Sequence, residues 1–365
     1  MEPYGLFRLA LLVKCRVSRF GGQWKEGGGI LARQAGIAVL LLLLGGCSDP
    51  IETLSGPTMG SQYSLKYVAG RGVPQVAAVK AEVERMLGEV DQQMSTWRAD
   101  SDVSRFNQLP AGQCLGMPEP VLKLVRFGEQ MSQESNGAFD LTVAPLLNLW
   151  GFGPQSRRQQ VPGPQEIAAV LARTGHQHVR IEGQRLCKDV AAEIDLGSIA
   201  AGYTVDTIGA RLAELGISSY VLNVTGELRV VGRKPDGSPW MIAIESPFEG
   251  KQTAERVLPL DGMGLSTSGD YHNYFERDGV RYSHTFDPRR GAPIDHQLAS
   301  VTVLDPSTLR AEGLSTALLV LGPEQGFDYA ERNGVLALFI SRGEQGFSSR
   351  MTSAFEARFG AATQP

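Results

Sequence analysis

The chain has 365 residues, of which 42% are hydrophobic, 20% charged and 7% aromatic. These are the proportions of an ordinary globular protein, and they exclude a disordered chain, a collagen-like repeat and a coiled coil. The formal net charge of -4 gives no electrostatic reason to expect a nucleic-acid ligand. The four Cys and five His offer no zinc-ligand spacing, so a metal site would have to use oxygen ligands.

The N-terminal segment has the order of a secretory signal. Six basic residues precede an apolar run over 36–44, which is far shorter than the roughly 20 residues that span a bilayer. Leu44-Gly45-Gly46-Cys47 follows and resembles a bacterial lipobox, in which the Cys is lipidated; the alternative is a short buried helix with a chance Cys. The sequence predicts a lipoprotein signal segment over 1–46, a lipid-anchored tether over 47–57 and one domain over 58–365, with the true start codon left open.

The rest of the chain alternates pairs of strands with separated helices. Period-2 alternation predicts strands, and apolar residues at three- and four-residue steps predict helices. In chain order, the predicted elements are a strand at 62–68, helices at 76–94, 118–135 and 165–173, a hairpin of 179–181 and 186–190, a helix at 199–215, strands at 220–224, 228–231 and 240–245, a hairpin of 271–275 and 280–285, a strand at 298–304, a helix at 311–321 and a strand at 335–341. This order favours an α+β fold with antiparallel sheets and packed helices.

Two cysteines remain in the predicted domain, Cys114 and Cys187. In an oxidising compartment they could pair, but the sequence does not show that their Cα atoms are close enough. The alternative of two buried free thiols stays open.

A strand that ends at Asp195 is followed by a turn at Gly197 and a helix from Ile199. The free N–H groups in the first turn of a helix attract an anion such as phosphate. Ser198 is placed as the N-cap residue, so the alternative is that its hydroxyl bonds the backbone of its own helix. Asp195 could pair with a basic group, hold a ligand donor or cap the helix.

Three oxygen-bearing side chains share one face of the predicted helix at 311–321. Glu312 and Thr316 are four residues apart, and Ser315 is three residues from Glu312. A carboxylate with hydroxyls on a rigid helix suits Mg²⁺, which prefers oxygen ligands. The alternative is a Glu that simply faces the positive end of the helix dipole.

His284 shares a strand face with Val280, Tyr282 and Phe286. It is either a hydrogen-bonded core residue or a general base that works near neutral pH. Aromatic, Met and small residues over 58–60, 95–98, 137–145 and 148–153 could sandwich a flat heterocycle or pack in the core. The glycine-rich phosphate loops of nucleotide-binding proteins are absent from the sequence.

Taken together and in order, these segments resemble the ApbE family of FAD:protein FMN transferases. The motifs that carry the resemblance are Ser95-Thr96-Trp97 and the segments 58–60, 101–107, 137–150, 195–206, 266–273 and 283–288. The resemblance implies a T-fold-like ApbE architecture with FAD in a cleft. It assigns FAD contacts to Met59, Trp97, Ala138, Phe139, Asp140, Asp195, Ala201 and Phe286, and Mg²⁺ ligands to Ser198, Glu312, Ser315 and Thr316.

The sequence departs from the family pattern at three places. The family commonly has Asp where this chain has Glu312, and some members have a second Asp where Ser315 stands. The segment 223–227 stands where the family usually shows a Gly-Gly-Asp-like turn.

The resemblance also implies a reaction. A Thr or Ser hydroxyl of an acceptor protein attacks the FMN-side phosphorus of FAD, and AMP leaves. His284 is the candidate for taking the hydroxyl proton, with Asp287 as a second candidate. The implied acceptors are flavin-carrying subunits of membrane redox complexes, which would place the lipid-anchored protein at the periplasmic face of the inner or outer membrane. The alternatives are hydrolysis of FAD to FMN and AMP, and a flavin-binding lipoprotein without turnover.

Overall fold

The structure is a computed structural model that describes residues 49–156, 159–247, 253–271, 273–344 and 346–360. The predicted signal segment and Cys47 lie outside the described residues. Among the helices described, none combines the length and apolar character needed to cross a bilayer.

The core of the fold is an eight-stranded sheet in which every neighbouring pair is antiparallel, in the order β1-β2-β6-β7-β10-β15-β16-β17. Its strands are β1 (Ile51–Thr58), β2 (Ser61–Val68), β6 (Tyr220–Val224), β7 (Glu227–Val231), β10 (Met263–Gly269), β15 (Leu298–Asp305), β16 (Leu336–Gly343) and β17 (Gly346–Met351). Smaller sheets are formed by β3 (Cys114–Gly116), β4 (Val179–Glu182) and β5 (Arg185–Lys188), by β8 (Trp240–Glu245) and β9 (Ala254–Leu260), by β11 (Tyr274–Arg277) and β12 (Val280–Ser283), and by β13 (Phe286–Asp287) and β14 (Ala292–Pro293).

The helices are α1 (Val76–Met94), α2 (Asp102–Asn107), α3 (Glu119–Glu134), α4 (Ala144–Trp150), α5 (Pro164–Leu171), α6 (Ala200–Glu214), α7 (Thr308–Leu321), α8 (Gln325–Arg332) and α9 (Ser353–Phe359), with short 3₁₀ turns at Leu141–Val143 and His176–His178. Helix α7 packs on β10 and β15 and against α6, and α1 packs against α6. Eleven of the fourteen residues of α7 are buried. This helix is therefore central, and a polar side chain on it points into protein rather than into solvent.

Two glycines allow this close packing. A Cβ atom on Gly202 of α6 would lie 2.6 Å from the backbone oxygen of Thr308, and a Cβ on Gly264 of β10 would lie 2.7 Å from the Thr308 Cα. Real Cβ atoms do not approach backbone that closely. The start of α7 can therefore reach α6 and the sheet only because both positions lack a side chain.

The predicted α+β fold with antiparallel sheets is confirmed, and the helix predicted at 76–94 has those bounds. One boundary needs correction. Residues 51–57, assigned to the tether, belong to β1, which pairs with β2 along its whole length. The alternation that marks β2 is weak in β1, where Gly56 and Pro57 interrupt it. The folded part of the chain therefore begins by Ile51 rather than at 58.

The two domain cysteines form a disulfide. Cys114 on β3 and Cys187 on β5 lie directly opposite each other in the antiparallel register. The disulfide excludes the alternative of two buried free thiols. It joins two segments that are 73 residues apart in the chain.

Candidate functional site

A cavity of about 950 Å³ opens where α6, α7 and the main sheet meet the loops after β1 and α1. One part of its wall, which we call the polar end, contains Ser198, Glu227, Ser268, Glu312 and Thr316. Another part of the wall, which we call the aromatic end, contains Met59, Trp97, Phe139, Phe152 and Phe286. The cavity thus combines oxygen donors with flat apolar surface.

Glu312 is fixed at the polar end by a backbone donor. Its Oε2 accepts a hydrogen bond of 2.7 Å from the N–H of Gly202, in the first turn of α6. A carboxylate at this place is stabilised by the free N–H groups and the positive dipole end of that helix. Glu312 therefore faces the N-terminus of the neighbouring helix rather than the N-terminus of its own.

A series of hydroxyl groups surrounds this carboxylate. Ser315 Oγ lies 2.9 Å from Ser266 Oγ and 2.8 Å from Ser268 Oγ, and it donates to the backbone oxygen of Glu312. Ser268 Oγ lies 3.1 Å from Thr316 Oγ1. Ser268 and Thr316 line the cavity, whereas Ser315 is fully buried and does not. Ser315 is therefore bonded to two hydroxyls of β10 and to a carbonyl of its own helix, and its role as a metal ligand stays a prediction.

Glu227 is a cavity residue that sequence reasoning did not select. It follows a two-residue hairpin turn, Thr225-Gly226, with φ values of +54° and +114°. Positive φ at both positions is what a tight type I′ turn requires, and Thr225 takes up this conformation where glycine would do so without strain. An acidic residue directly after such a turn was the signal that could have identified Glu227.

Burial raises the pKa of both carboxyl groups, and repulsion by Glu227 adds to the shift at Glu312. Burial raises the pKa of Glu227 to about 8, against which a hydrogen bond from Ser266 acts. The pKa of Glu312 also lies well above its usual range, first because of burial and then because of the nearby Glu227 charge. A perturbed pair of this kind in a cavity is typical of a functional site.

The start of α6 differs from the sequence prediction. The cap position is Ile199, which makes no side-chain cap, and the helix runs from Ala200. Ser198 is therefore not the N-cap; its partly exposed side chain lines the cavity near the helix start, as does Ala201.

Asp195 lies beside this turn. Its Oδ1 accepts from the N–H of Gly197 at 2.6 Å, and Thr96 Oγ1 lies 3.4 Å from its Oδ2. Burial raises the pKa of its carboxyl group. The segment before it is not the strand that the sequence predicted, because β5 ends at Lys188. It is held by Asn107, whose side-chain amide bonds both the N–H and the C=O of Ile194. The candidate flavin contact Asp195 is therefore a fixed part of the wall.

The aromatic end combines a fixed backbone with an exposed ring. The Trp97 side chain is 73% exposed. Its loop is held by Arg98, which bonds Asp91, Gln92 and Asp100. An indole that is presented this way offers a flat surface for stacking at little cost in backbone order.

Ala138, Phe139 and Asp140 line the cavity as a group. The Asp140 carboxylate is already bonded within the protein, because Oδ1 accepts from the Thr142 N–H and Oδ2 accepts from the His176 N–H. Asp140 therefore shapes the wall, and its oxygens are engaged with backbone rather than directed at a ligand.

His284 lines the cavity, as does Asn273. Its Nδ1 lies 3.1 Å from the backbone oxygen of Asn273. Because a carbonyl only accepts, this contact places the proton on Nδ1 and leaves the lone pair on Nε2. A neutral imidazole in this tautomer can take a proton at Nε2.

Asp287, the second candidate base, occupies a different position. It is buried and does not line the cavity, and its two oxygens bond the guanidinium of Arg289 at 2.8 Å each. This position argues against Asp287 and leaves His284 as the candidate base.

The comparisons with known proteins agree with this geometry. A sequence model described as "ApbE family" matches residues 59–339, a span that includes every cavity residue named above. The chain belongs to the ApbE family. A FAD:protein FMN transferase of Vibrio cholerae is 43% identical to this ApbE-family chain, covering 87% of it and 96% of the relative. A protein of the same name from Haemophilus influenzae is 37% identical, covering 88% of the chain and 96% of the relative.

Solved structures of the ApbE family share the fold. The apo form of the Pseudomonas stutzeri flavinyl transferase ApbE is 57% identical and superposes with a TM-score of 0.82, covering 86% of this chain and 98% of that one. The antiparallel α+β architecture is therefore the architecture of that family.

Proposed function

We propose that this protein transfers FMN from FAD to a Thr or Ser hydroxyl of an acceptor flavoprotein and releases AMP. The observation that carries the proposal is the cavity itself, which joins a stacking surface to a carboxylate and hydroxyl cluster in a chain of the ApbE family. Relatives that align with nearly their whole length bear the name FAD:protein FMN transferase.

The isoalloxazine would lie at the aromatic end. Trp97 offers an exposed ring, and half-buried Met59 and the buried residues Ala138 and Phe139 line the same cavity. Ring systems stack favourably on aromatic side chains, and a concave apolar wall with a few polar groups is the usual form of a cofactor site. The diphosphate of FAD would then extend toward Ser198 and the start of α6.

The donors at the polar end fit a hard divalent cation such as Mg²⁺, because they are carboxylate and hydroxyl oxygens. Ser198, Glu312 and Thr316 would hold it. When bound, Mg²⁺ would neutralise charge on the diphosphate. A raised pKa at Glu312 supports this fit, since a buried carboxylate without a counter-charge is costly and a cation would relieve that cost.

His284 would accept the proton of the attacking hydroxyl at Nε2. The hydroxyl oxygen forms a bond to the FMN-side phosphorus, the bond from that phosphorus to the bridging oxygen breaks, and AMP leaves with that oxygen. The Asn273 carbonyl holds the tautomer that makes this transfer possible. A positioned base of this type contributes roughly 100-fold or more to a rate.

The test is to incubate the protein with FAD, Mg²⁺ and an acceptor fragment, and to weigh the acceptor by mass spectrometry. A gain of one FMN with release of AMP supports the transfer. AMP and free FMN without any labelled acceptor would show that hydrolysis is the activity. Bound, unchanged FAD would show a carrier without turnover.

We also propose that the protein is anchored by lipid on Cys47 at the periplasmic face of a bacterial membrane, near flavin-carrying subunits of membrane redox complexes. The Cys114–Cys187 disulfide supports an oxidising compartment. The measurement is fractionation of cells that express the chain or its Cys47→Ala variant. Wild type should sediment with membranes and the variant should not; a variant that stays with membranes contradicts the anchor.

A further inference from the structure

Glu227 stands at the polar end without an explained role. It is the first residue of β7, and it is directed toward the cavity by the tight turn before it. Its Oε2 is shielded from solvent and has no hydrogen-bond partner within the described part of the chain. Such an oxygen is costly unless something that the protein itself does not supply compensates it.

The described cavity wall around Glu227 supplies no positive charge to compensate its carboxyl group. Glu312 is a second carboxyl group that lines the same cavity. Among the described cavity-lining residues, Arg98 is the only Arg or Lys, and it is paired with Asp91 and Asp100. No side-chain cation of the described cavity wall is therefore available to the two carboxyl groups.

The other groups at the polar end do not supply the negative charge of a second carboxylate to a cation site built on Glu312. Ser315 is fully buried, and Ser266, Ser268 and Ser315 are neutral hydroxyls that bond one another. One oxygen of Glu312 is already held by the Gly202 N–H. A cation site built from Glu312, Ser198 and Thr316 would thus contain one carboxylate, whereas hard divalent cations are generally bound with one or two.

We propose that Glu227 supplies a second carboxylate to the divalent cation site of this protein. The proposal rests on the proposed cation-dependent function and deepens it. Glu227 on the sheet and Glu312 on α7 would grip the cation from two separate elements. Ser266 orients Glu227, as indicated by its hydrogen bond to that carboxyl group. The occupant is a hard, oxygen-preferring ion of the Mg²⁺ or Mn²⁺ type.

The test measures cation binding directly. Metal-stripped full-length protein is titrated with Mn²⁺ alone, and free Mn²⁺ is followed by its paramagnetic resonance signal. Glu227→Gln should weaken Mn²⁺ binding by roughly 10- to 100-fold, and Glu312→Gln should do so at least as strongly. Glu344→Gln is the matched control, since Glu344 is exposed in the turn between β16 and β17; its Mn²⁺ affinity should equal that of wild type.

A second substitution at Glu227 and a measurement of thermal unfolding complete the test. Glu227→Asp, which keeps the charge on a shorter side chain, should recover part of the lost affinity. Thermal unfolding without metal should show Glu227→Gln folded, because Gln has nearly the size of Glu and its side-chain oxygen can still accept the Ser266 hydrogen bond. If Glu227→Gln binds Mn²⁺ as wild type does while Glu312→Gln does not, Glu227 is no ligand. If wild type binds no Mn²⁺ and still transfers FMN in a chelator, both the cation site and this proposal fail.

Discussion

The two ends of the cavity are built in different ways. The polar end consists of side chains from α7, β7, β10 and the turn before α6, and Glu312 is nearly inaccessible. The aromatic end is carried largely by loops, and its most prominent ring, Trp97, is 73% exposed. The first surface is already enclosed by the protein, whereas the Trp97 ring of the second is left for a ligand to cover.

This difference indicates a division of labour. Groups that must meet developing charge work best when they are already oriented, because reorganisation during the reaction is costly. A stacking surface needs only area and flatness, so it tolerates exposure. We therefore expect changes at the polar end to affect the rate of transfer and changes at the aromatic end to affect the affinity for FAD.

The largest effect is expected for Glu312→Ala. Removing the carboxylate should slow FMN transfer by on the order of 1000-fold, since stabilisation of charge is usually the largest catalytic contribution. The dissociation constant for FAD, followed by flavin fluorescence, should change far less. Glu344→Ala serves as the control. Full activity without the Glu312 carboxylate would remove it from the mechanism.

His284→Ala should slow transfer by roughly 100-fold through loss of the proton acceptor. Single-turnover rates at saturating FAD measure the effect, and FAD affinity should stay near that of wild type. His178→Ala, which alters a histidine that does not line the cavity, should transfer FMN normally. A His284→Ala rate equal to that of wild type would exclude His284 as the base.

The paired carboxyl groups predict a pH dependence of stability without cation. Glu227 and Glu312 hold their protons more tightly in the folded chain than in the unfolded chain. The stabilisation is therefore complete below the unfolded pKa of about 4.5 and is lost as the pH rises through the folded value of about 8 for Glu227.

Denaturant unfolding in a chelator measures this dependence. Between pH 5 and pH 8, wild type should lose on the order of 2 kcal/mol more unfolding free energy than Glu227→Gln does. The difference between the two proteins isolates Glu227 from the other titrating groups. Parallel curves for wild type and the variant would contradict a strained carboxyl pair.

The smallest effect is expected at the aromatic end. Trp97→Ala should weaken FAD binding by about tenfold, which corresponds to the loss of one aromatic stacking contact. The transfer rate at saturating FAD should remain close to that of wild type, and Trp97→Tyr should recover most of the affinity. A variant that binds FAD normally but transfers slowly would reverse the roles assigned to the two ends.

The sequence predicted those parts of the fold that obey a simple period. The helix at 76–94 and the strand at 240–245 were predicted with the bounds that the structure gives. Strands β9 and β10 were missed, because Pro259 and the run 266–269 of Ser, Thr and Gly lack the apolar alternation by which strands are recognised. Their pairing is decided by neighbours that are distant in the chain.

The candidate site, like the fold, could be predicted only in part. Spacing along one helix brought Glu312 and Thr316 to one face, but it could not show that Ser315, on the same face, is covered by Ser266 and Ser268 of β10. Glu227 comes close to Glu312 only through the order of β7 and β10 in the sheet. Position along an element was predictable, whereas the contacts between elements that build the polar end required the folded structure.

The most direct test of the central claim is the cation dependence of FAD cleavage. Protein stripped of divalent ions is mixed with FAD and an acceptor fragment, AMP release is measured, and Mg²⁺ is then restored. The account predicts negligible release of AMP before Mg²⁺ is added and full activity afterwards. Cleavage at the full rate in the stripped protein would contradict it.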